Sequence, residues 1–234
     1  MKRILFALLL ACAPQWAQEK PPEHLLIMLK YTNPAALSNL IRPYNVNFSF
    51  NEEMKVMTLS GPADAVDAVA AMIKQLDVPP KDIELTIYYM IGSEGENALG
   101  SAPPKELEPV VTQLRNAFTF KNYRLLDVLV IRTRTGQQAS SAANLGTVTL
   151  ANGNNHIINA NFVLRSATIA PDGSTVRLDG MRNELRWPVT DQYTSTLSLN
   201  TDVDIREGQK VVVGRLGISH DQALFLVLTA KVVN

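Results

Sequence analysis

The sequence predicts an α+β protein: a small mixed module near the N-terminus, then a longer region that is almost wholly β. Three observations carry this. Residues 24–80 run strand, helix, strand, strand, helix; a double proline at Pro79-Pro80 switches the chain from helical to extended; and from residue 156 onward apolar and polar residues alternate with period two.

The chain of 234 residues is 46% hydrophobic and 19% charged, with a formal net charge of zero. That balance belongs to a globular protein able to bury a core, and it excludes intrinsic disorder. Zero net charge without runs of one sign offers no field to attract nucleic acid or anionic lipid.

Residues 1–17 read as an export signal. Met1-Lys2-Arg3 is basic, Ile4 to Ala11 is an apolar run too short to span a bilayer, and small residues follow. Two processing routes are open. Cleavage after Ala17 releases a soluble chain; alternatively Leu9-Leu10-Ala11-Cys12 acts as a lipobox and leaves Cys12 lipidated. The first is preferred, because leucine is a poor residue just before the small one. Cys12 is the only cysteine, so the mature chain has no disulfide, and its stability rests on packing. No later apolar run is long enough for a transmembrane helix.

His24 to Tyr31 is apolar and reads as a buried strand. Asn33 then caps a helix with Pro34 in its first turn and Leu37, Leu40 and Ile41 on one face. Val46, Phe48 and Phe50 share one side of the next strand, and Met57 and Leu59 one side of its hairpin partner. A second helix presents Val66, Val69, Ile73 and Leu76 and ends at Asp77, because a residue before proline is pushed out of the α region.

Beyond the prolines, residues 81–136 read as strand, helix, strand. Ile83, Leu85, Ile87 and Tyr89 alternate; Leu107, Val110, Val111, Leu114 and Phe118 form a helical stripe that starts or kinks at Pro109; and a strand follows from Tyr123. Residues 137–155, rich in Gly, Ala, Ser and Asn, read as a flexible connection with a short strand at Thr147 to Leu150. Residues 156–234 read as a β domain. Asp172-Gly173 turns one hairpin, Leu197, Leu199, Val203 and Ile205 point inward along the next strand, and Ala223 to Val233 finishes as a buried strand.

The N-terminal pattern resembles a known family. An apolar strand, a helix at "NPAALSNLI", a hairpin ending "VMTLSG" and a helix ending "MIKQLDVPPKDIEL" are similar to the periplasmic N-domains of secretins, over about Leu25 to Leu85. "EEMKVM" departs from that pattern, since the family often has Asn before its second hairpin strand. The stretch "VDIREGQKVVVGRL…LFLVLTAKVV" is similar to strand pairs of the secretin channel domain. The chain is read as too short for that whole domain, and its strands lack the lipid-facing alternation with aromatic girdles of a transmembrane barrel. The resemblance implies a KH-like module at 24–80, a joint at Asp77 to Pro80, and stacking on copies of itself or on a secretin or pilus apparatus in the periplasm or envelope.

Candidate chemistry is sparse. His24, His156 and His220 have no metal-ligand spacing among them. Asp202 and Asp204 share a strand face beside Glu207, which makes a calcium site imaginable, although a solvated hairpin face explains them too. Gly92-Ser93-Glu94-Gly95 is formally the loop KH domains use on nucleic acid, but it is acidic and lies outside the KH-like module. No nucleophile elbow, zinc, P-loop or dinucleotide motif is present. Arg124, Arg132 and Arg134 fall on one strand face by parity, a candidate strip for a partner's carboxylates. Trp187 reads equally as core or rim. The expected protein is therefore no enzyme, takes no cofactor, and binds other proteins or copies of itself. A glycan- or calcium-binding extracellular protein is the alternative, and a hydrolase with a dispersed site a more distant one.

Overall fold

The computed structural model describes residues 22–95 and 99–233; Cys12 and the residues read as an export signal lie outside them. The chain divides into two compact units, one ending at Pro79 and one beginning at Pro80.

Unit 1 follows the expected order. Strand β1 (Glu23–Met28) leads to helix α1 (Pro34–Ile41), strands β2 (Asn47–Asn51) and β3 (Val56–Gly61), and helix α2 (Ala63–Leu76). The sheet is antiparallel in the order β1-β3-β2. Its core brings Leu37 and Ile41 of α1 and Val66, Val69 and Ile73 of α2 onto Met57 and Leu59 of β3. Of the predicted helical faces Leu37, Ile41, Val66, Val69 and Ile73 are buried, while Leu40 and Leu76 are exposed. The first strand differs from expectation as well. It is an edge strand that alternates: Leu25 and Ile27 pack on the core, while Leu26 and Met28 stand 62% and 73% exposed on the opposite face. Two helices can cover only one face of a three-stranded sheet, so a continuous apolar run there cannot be buried on both sides.

Unit 2 contains two four-stranded antiparallel sheets. The first, in the order β10-β11-β4-β5, comprises β4 (Asp82–Ser93), β5 (Asn122–Arg134), β10 (Val211–Gly217) and β11 (Gln222–Val233). The second is a meander of β6 (Ala139–Thr149), β7 (Asn155–Ile169), β8 (Thr175–Pro188) and β9 (Thr194–Arg206). They face each other across a core of Ile83, Leu85, Ile87, Tyr89, Ile91, Leu224, Leu226 and Leu228 from one sheet and Ile158, Phe162, Leu164, Leu178, Met181 and Leu185 from the other. Helix α3 (Glu108–Ala117) covers part of the outer face of the first sheet, where Tyr88, Met90, Phe225 and Val227 meet Val110, Val111 and Leu114. It begins at Glu108 with Pro109 in its first turn, so the proline starts the helix rather than kinking it.

Two expectations for this region change. The span 137–155 is not a connection but strand β6 and a tight turn, and the segments expected as separate βαβ and β-rich parts pack into one unit. Ala139, Ala143, Leu145 and Val148 reach the core from β6 while Ser140 and Asn144 face out, so mostly small residues serve at an edge strand where little volume has to be filled. Trp187 is core. Strand pairs β5–β6 and β9–β10 touch at the two rims of the sandwich but form no ladder among the described residues.

Gly92 marks the tightest packing under α3. A Cβ there would lie 2.9 Å from a ring carbon of Phe225 and 3.1 Å from rings of Phe120 and Tyr123. These rings already pack at centroid separations of 5.7 to 6.5 Å. Gly92→Ala is therefore expected to lower the stability of unit 2 by about 1–3 kcal/mol through overpacking. Chemical denaturation followed by near-UV circular dichroism measures it.

Candidate interaction surfaces and the joint between units

The sharp turn at the end of α2 is built around Asp77. Its carboxylate accepts backbone N–H groups from Lys30 and Tyr31 at 2.8 Å and from Thr32 at 2.9 Å, and the Thr32 hydroxyl donates to the Leu76 carbonyl. The donors come from the bend between β1 and α1, where consecutive amides converge on one anion. Burial works to raise the Asp77 pKa, but the three backbone donors outweigh it and hold the carboxyl below its ordinary 3.8. On the other side of the prolines, the Lys81 carbonyl accepts both the amide and the hydroxyl of Thr135. Each end of the connection is thus tied to its own unit, which leaves Val78, Pro79 and Pro80 between them, two of the three with φ fixed by their rings. The sequence pointed to a joint here; it did not show that the aspartate holds it.

The arginine strip divides. Arg132 donates to Glu84 with a closest approach of 2.7 Å, and Arg134 pairs with Asp82 at 3.5 Å, both on the α3 side of the first sheet beside exposed Val128 and Val130. Arg124 is on the other face. The register slips opposite Tyr89 and Met90, so Asp127 faces Tyr89, Leu125 faces Met90, and Arg124 lies opposite the core-facing Ile91. One extra residue in a strand reverses every side chain beyond it, and parity counting across a bulge fails for that reason. Arg124 donates instead to the Gly100 carbonyl at 2.9 Å.

The acidic trio separates too. Asp202 and Asp204 share the outer face of β9 as expected, but Asp202 accepts the Gly180 amide at a bulge in β8 and Asp204 pairs with Arg177 at 3.2 Å. Glu207 accepts the Val232 amide at 3.0 Å. Each carboxylate is engaged with its own partner, and among the described residues no group of three or more His, Cys, Asp or Glu side chains converges as a metal site would require. Gly92 and Ser93 belong to β4 and are packed rather than looped outward.

One cluster escaped the sequence reading. At the same end of the second sheet the β6–β7 and β8–β9 turns lie side by side, and Asp191 of one accepts Asn152, Asn154 and His156 side chains of the other, His156 at 2.7 Å. These donors hold the Asp191 carboxyl below its usual range, the bond from His156 contributing most. The histidine is bonded to Asp191 alone, and that carboxylate also accepts the two Asn amides, so among the described residues the hydrogen-bonded group contains no hydroxyl or thiol nucleophile. Nothing local in "ANGNNH" or "VTDQY" told that the two turns meet.

Residues 25–82 match the secretin N-domain family, the bacterial type II/III secretion system short domain. No curated protein matches the chain in sequence. Among solved structures, the type II secretin GspD from enteropathogenic Escherichia coli is similar with TM-score 0.55 and 12% identity, over 90% of this chain and 87% of that one. GspD of E. coli K12 gives TM-score 0.60 at 12% identity, over 92% of this chain but 64% of its own, so this chain spans less than two thirds of it. The type IV competence pilus secretin PilQ of V. cholerae gives TM-score 0.54 at 12% identity, over 93% and 79%. The chain therefore carries a secretin N-domain at residues 25–82 and has the secretin fold over most of its length.

Asp77→Ala removes the acceptor for three backbone donors and should destabilise unit 1 by about 2–3 kcal/mol, given the strength of bonds to a charged acceptor. Since the folded pKa is depressed, the stability that Asp77 supplies is complete above its unfolded pKa and is lost as pH falls through the folded one. Asp77→Asn should show a flatter acid limb over that window. Urea unfolding of unit 1 followed by its helical circular dichroism, at several pH values, checks both.

Proposed function

We propose that the chain is a non-catalytic, exported component of the cell envelope that assembles with copies of itself or with partners in a secretin-type secretion or type IV pilus system. The observation that carries this reading is that the secretin N-domain match, residues 25–82, coincides with unit 1 and its joint. Unit 2 supports it through its secretin fold.

The physical means of assembly are edges and faces. Strands β5, β6, β9 and β10 end their sheets, and apart from the bridge of Leu125 to Ser101 their outer backbone groups enter no ladder among the described residues, the arrangement on which another chain's strand can pair. In unit 1, β1 and β2 are edges too, and the face away from the helices carries exposed Leu26 and Met28 beside a shallow groove of about 390 Å³ lined in part by His24, Phe48, Ser49 and Thr58. Both kinds of surface suit repeated contact between identical subunits, in which one copy's edge or face meets a different one on the next and a ring closes. Protein partners of the apparatus would use the same surfaces, with Arg132 and Arg134 as a second candidate contact.

The test is extraction of the tagged full-length chain from its own host in mild detergent, followed by native electrophoresis and mass spectrometry of what co-purifies. A high-mass species, or secretion or pilus subunits recovered with it, is the expected result. A monomer free of envelope partners would overturn the reading.

A further inference from the structure

The core between the two sheets of unit 2 is almost wholly apolar. Asn183 of β8 is a fully buried polar side chain in it, and it donates from Nδ2 to the hydroxyl of Tyr89 on β4 at 2.7 Å. Tyr89 is itself fully buried, and the two residues are 94 positions apart, one on each sheet. The contact is incompletely satisfied: Asn183 Oδ1 finds no hydrogen-bond donor among the described residues. Burial pushes the Tyr89 hydroxyl up to about 12, against the bond from Asn183, so the phenol keeps its proton in the core.

A polar pair of this kind is a poor source of stability. Well-packed apolar side chains of similar size hold two sheets together at least as strongly, and a buried carbonyl oxygen without a donor carries the cost of its lost hydration. What the pair supplies is a position. Apolar faces slide and repack with little change in energy, whereas a single polar contact is satisfied in one register only.

We propose that Tyr89 and Asn183 form a latch between the sheets of unit 2, which fixes how they dock while keeping them separable. Parting the sheets returns the orphaned amide oxygen and the phenol to water, so this pair favours opening relative to the apolar residues around it. The sheets are suited to such a motion, because among the described residues their rims touch without a ladder and each sheet keeps its own ladders when they part, although backbone bonds from the connecting turns, Gly136 to the Ala167 carbonyl and Gly208 to the Ala230 carbonyl, cross from one sheet to the other. The use of that motion in assembly rests on the function proposed above; the latch itself does not.

The test uses the full-length chain in a Cys12→Ser background with one of two buried thiol probes. Ala160→Cys places the probe on β7 between the sheets, and Ala223→Cys places it on β11 beneath α3. If the sheets part as a unit, the thiol at 160 reacts with a maleimide at least about 10-fold faster than the thiol at 223, a tenfold ratio being the mark of a distinct, lower-energy opening. Equal rates at the two sites would mean that the core opens only by global unfolding, and would overturn the proposal. A cycle of Tyr89→Phe, Asn183→Leu and the double variant then tests the pair itself. Each single variant strands the other polar group and lowers Tm, while the double variant recovers the parent Tm or exceeds it and slows labelling at 160 about 10-fold. A double variant with losses that simply add, or with unchanged labelling at 160, would overturn it. The comparison of the two thiols in the parent chain stands even if a variant fails to fold.

Discussion

Strands β4 and β11 lie paired from Asp82 opposite Val233 to Ser93 opposite Gln222, and through much of that length both of their faces are covered. Ile83, Leu85, Ile87, Tyr89 and Ile91 look into the sandwich, and Tyr88 and Met90 look toward α3. A strand pair buried on two sides has no tolerance for slippage, because a shift of one residue exchanges its two faces. The rest of unit 2 is arranged around this pair. The second sheet covers one side, α3 and the aromatic cluster of Phe118, Phe120, Tyr123 and Phe225 cover the other, and β5 and β10 flank it.

The same strand begins at the joint, so the packing of unit 2 fixes one end of the connection and Asp77 fixes the other. Two kinds of bond do this work. On the unit 1 side an anion gathers three amides; on the unit 2 side a carbonyl accepts a backbone and a hydroxyl donor from the same threonine. Both are short-range hydrogen bonds to backbone and do not depend on burying apolar area. That suits a segment that lies at the surface, with Val78, Pro79 and Pro80 all exposed.

The function proposed above draws on surfaces, and among the described residues many of the exposed charged side chains are paired with one another. The candidate carboxylates are spread over separate partners, Arg132 and Arg134 are held by Glu84 and Asp82, and the His156–Asp191 pair ties two turns together. Exposed polar side chains paired in this way keep a broad sheet face hydrated and ordered at little gain in stability. Among the described residues, the sheet edges and the open face of unit 1 keep capacity for backbone or apolar contact.

Sequence by itself determined the elements whose signals are local. The βαββα order of unit 1, the helix start at Asn33-Pro34, the stop at Asp77, the turn at Asp172-Gly173 and the inward face of β9 all follow from caps, prolines and short-period alternation, and the secretin resemblance of residues 25–85 was legible in the same features. Tertiary structure decided whatever depends on a distant neighbour. The bulge that turns Arg124 away from Arg132 exists only because β5 pairs with β4; β6 is a strand because β7 offers it a ladder; β1 exposes Leu26 because the helices fall on one side of its sheet. Asp77 and its amides, Asp191 and its donors, and Tyr89 with Asn183 are each joined across a span of chain over which no periodicity extends. Hydrogen-bond geometry is set by the fold that brings such groups within about 3 Å, and residue type alone does not encode that approach.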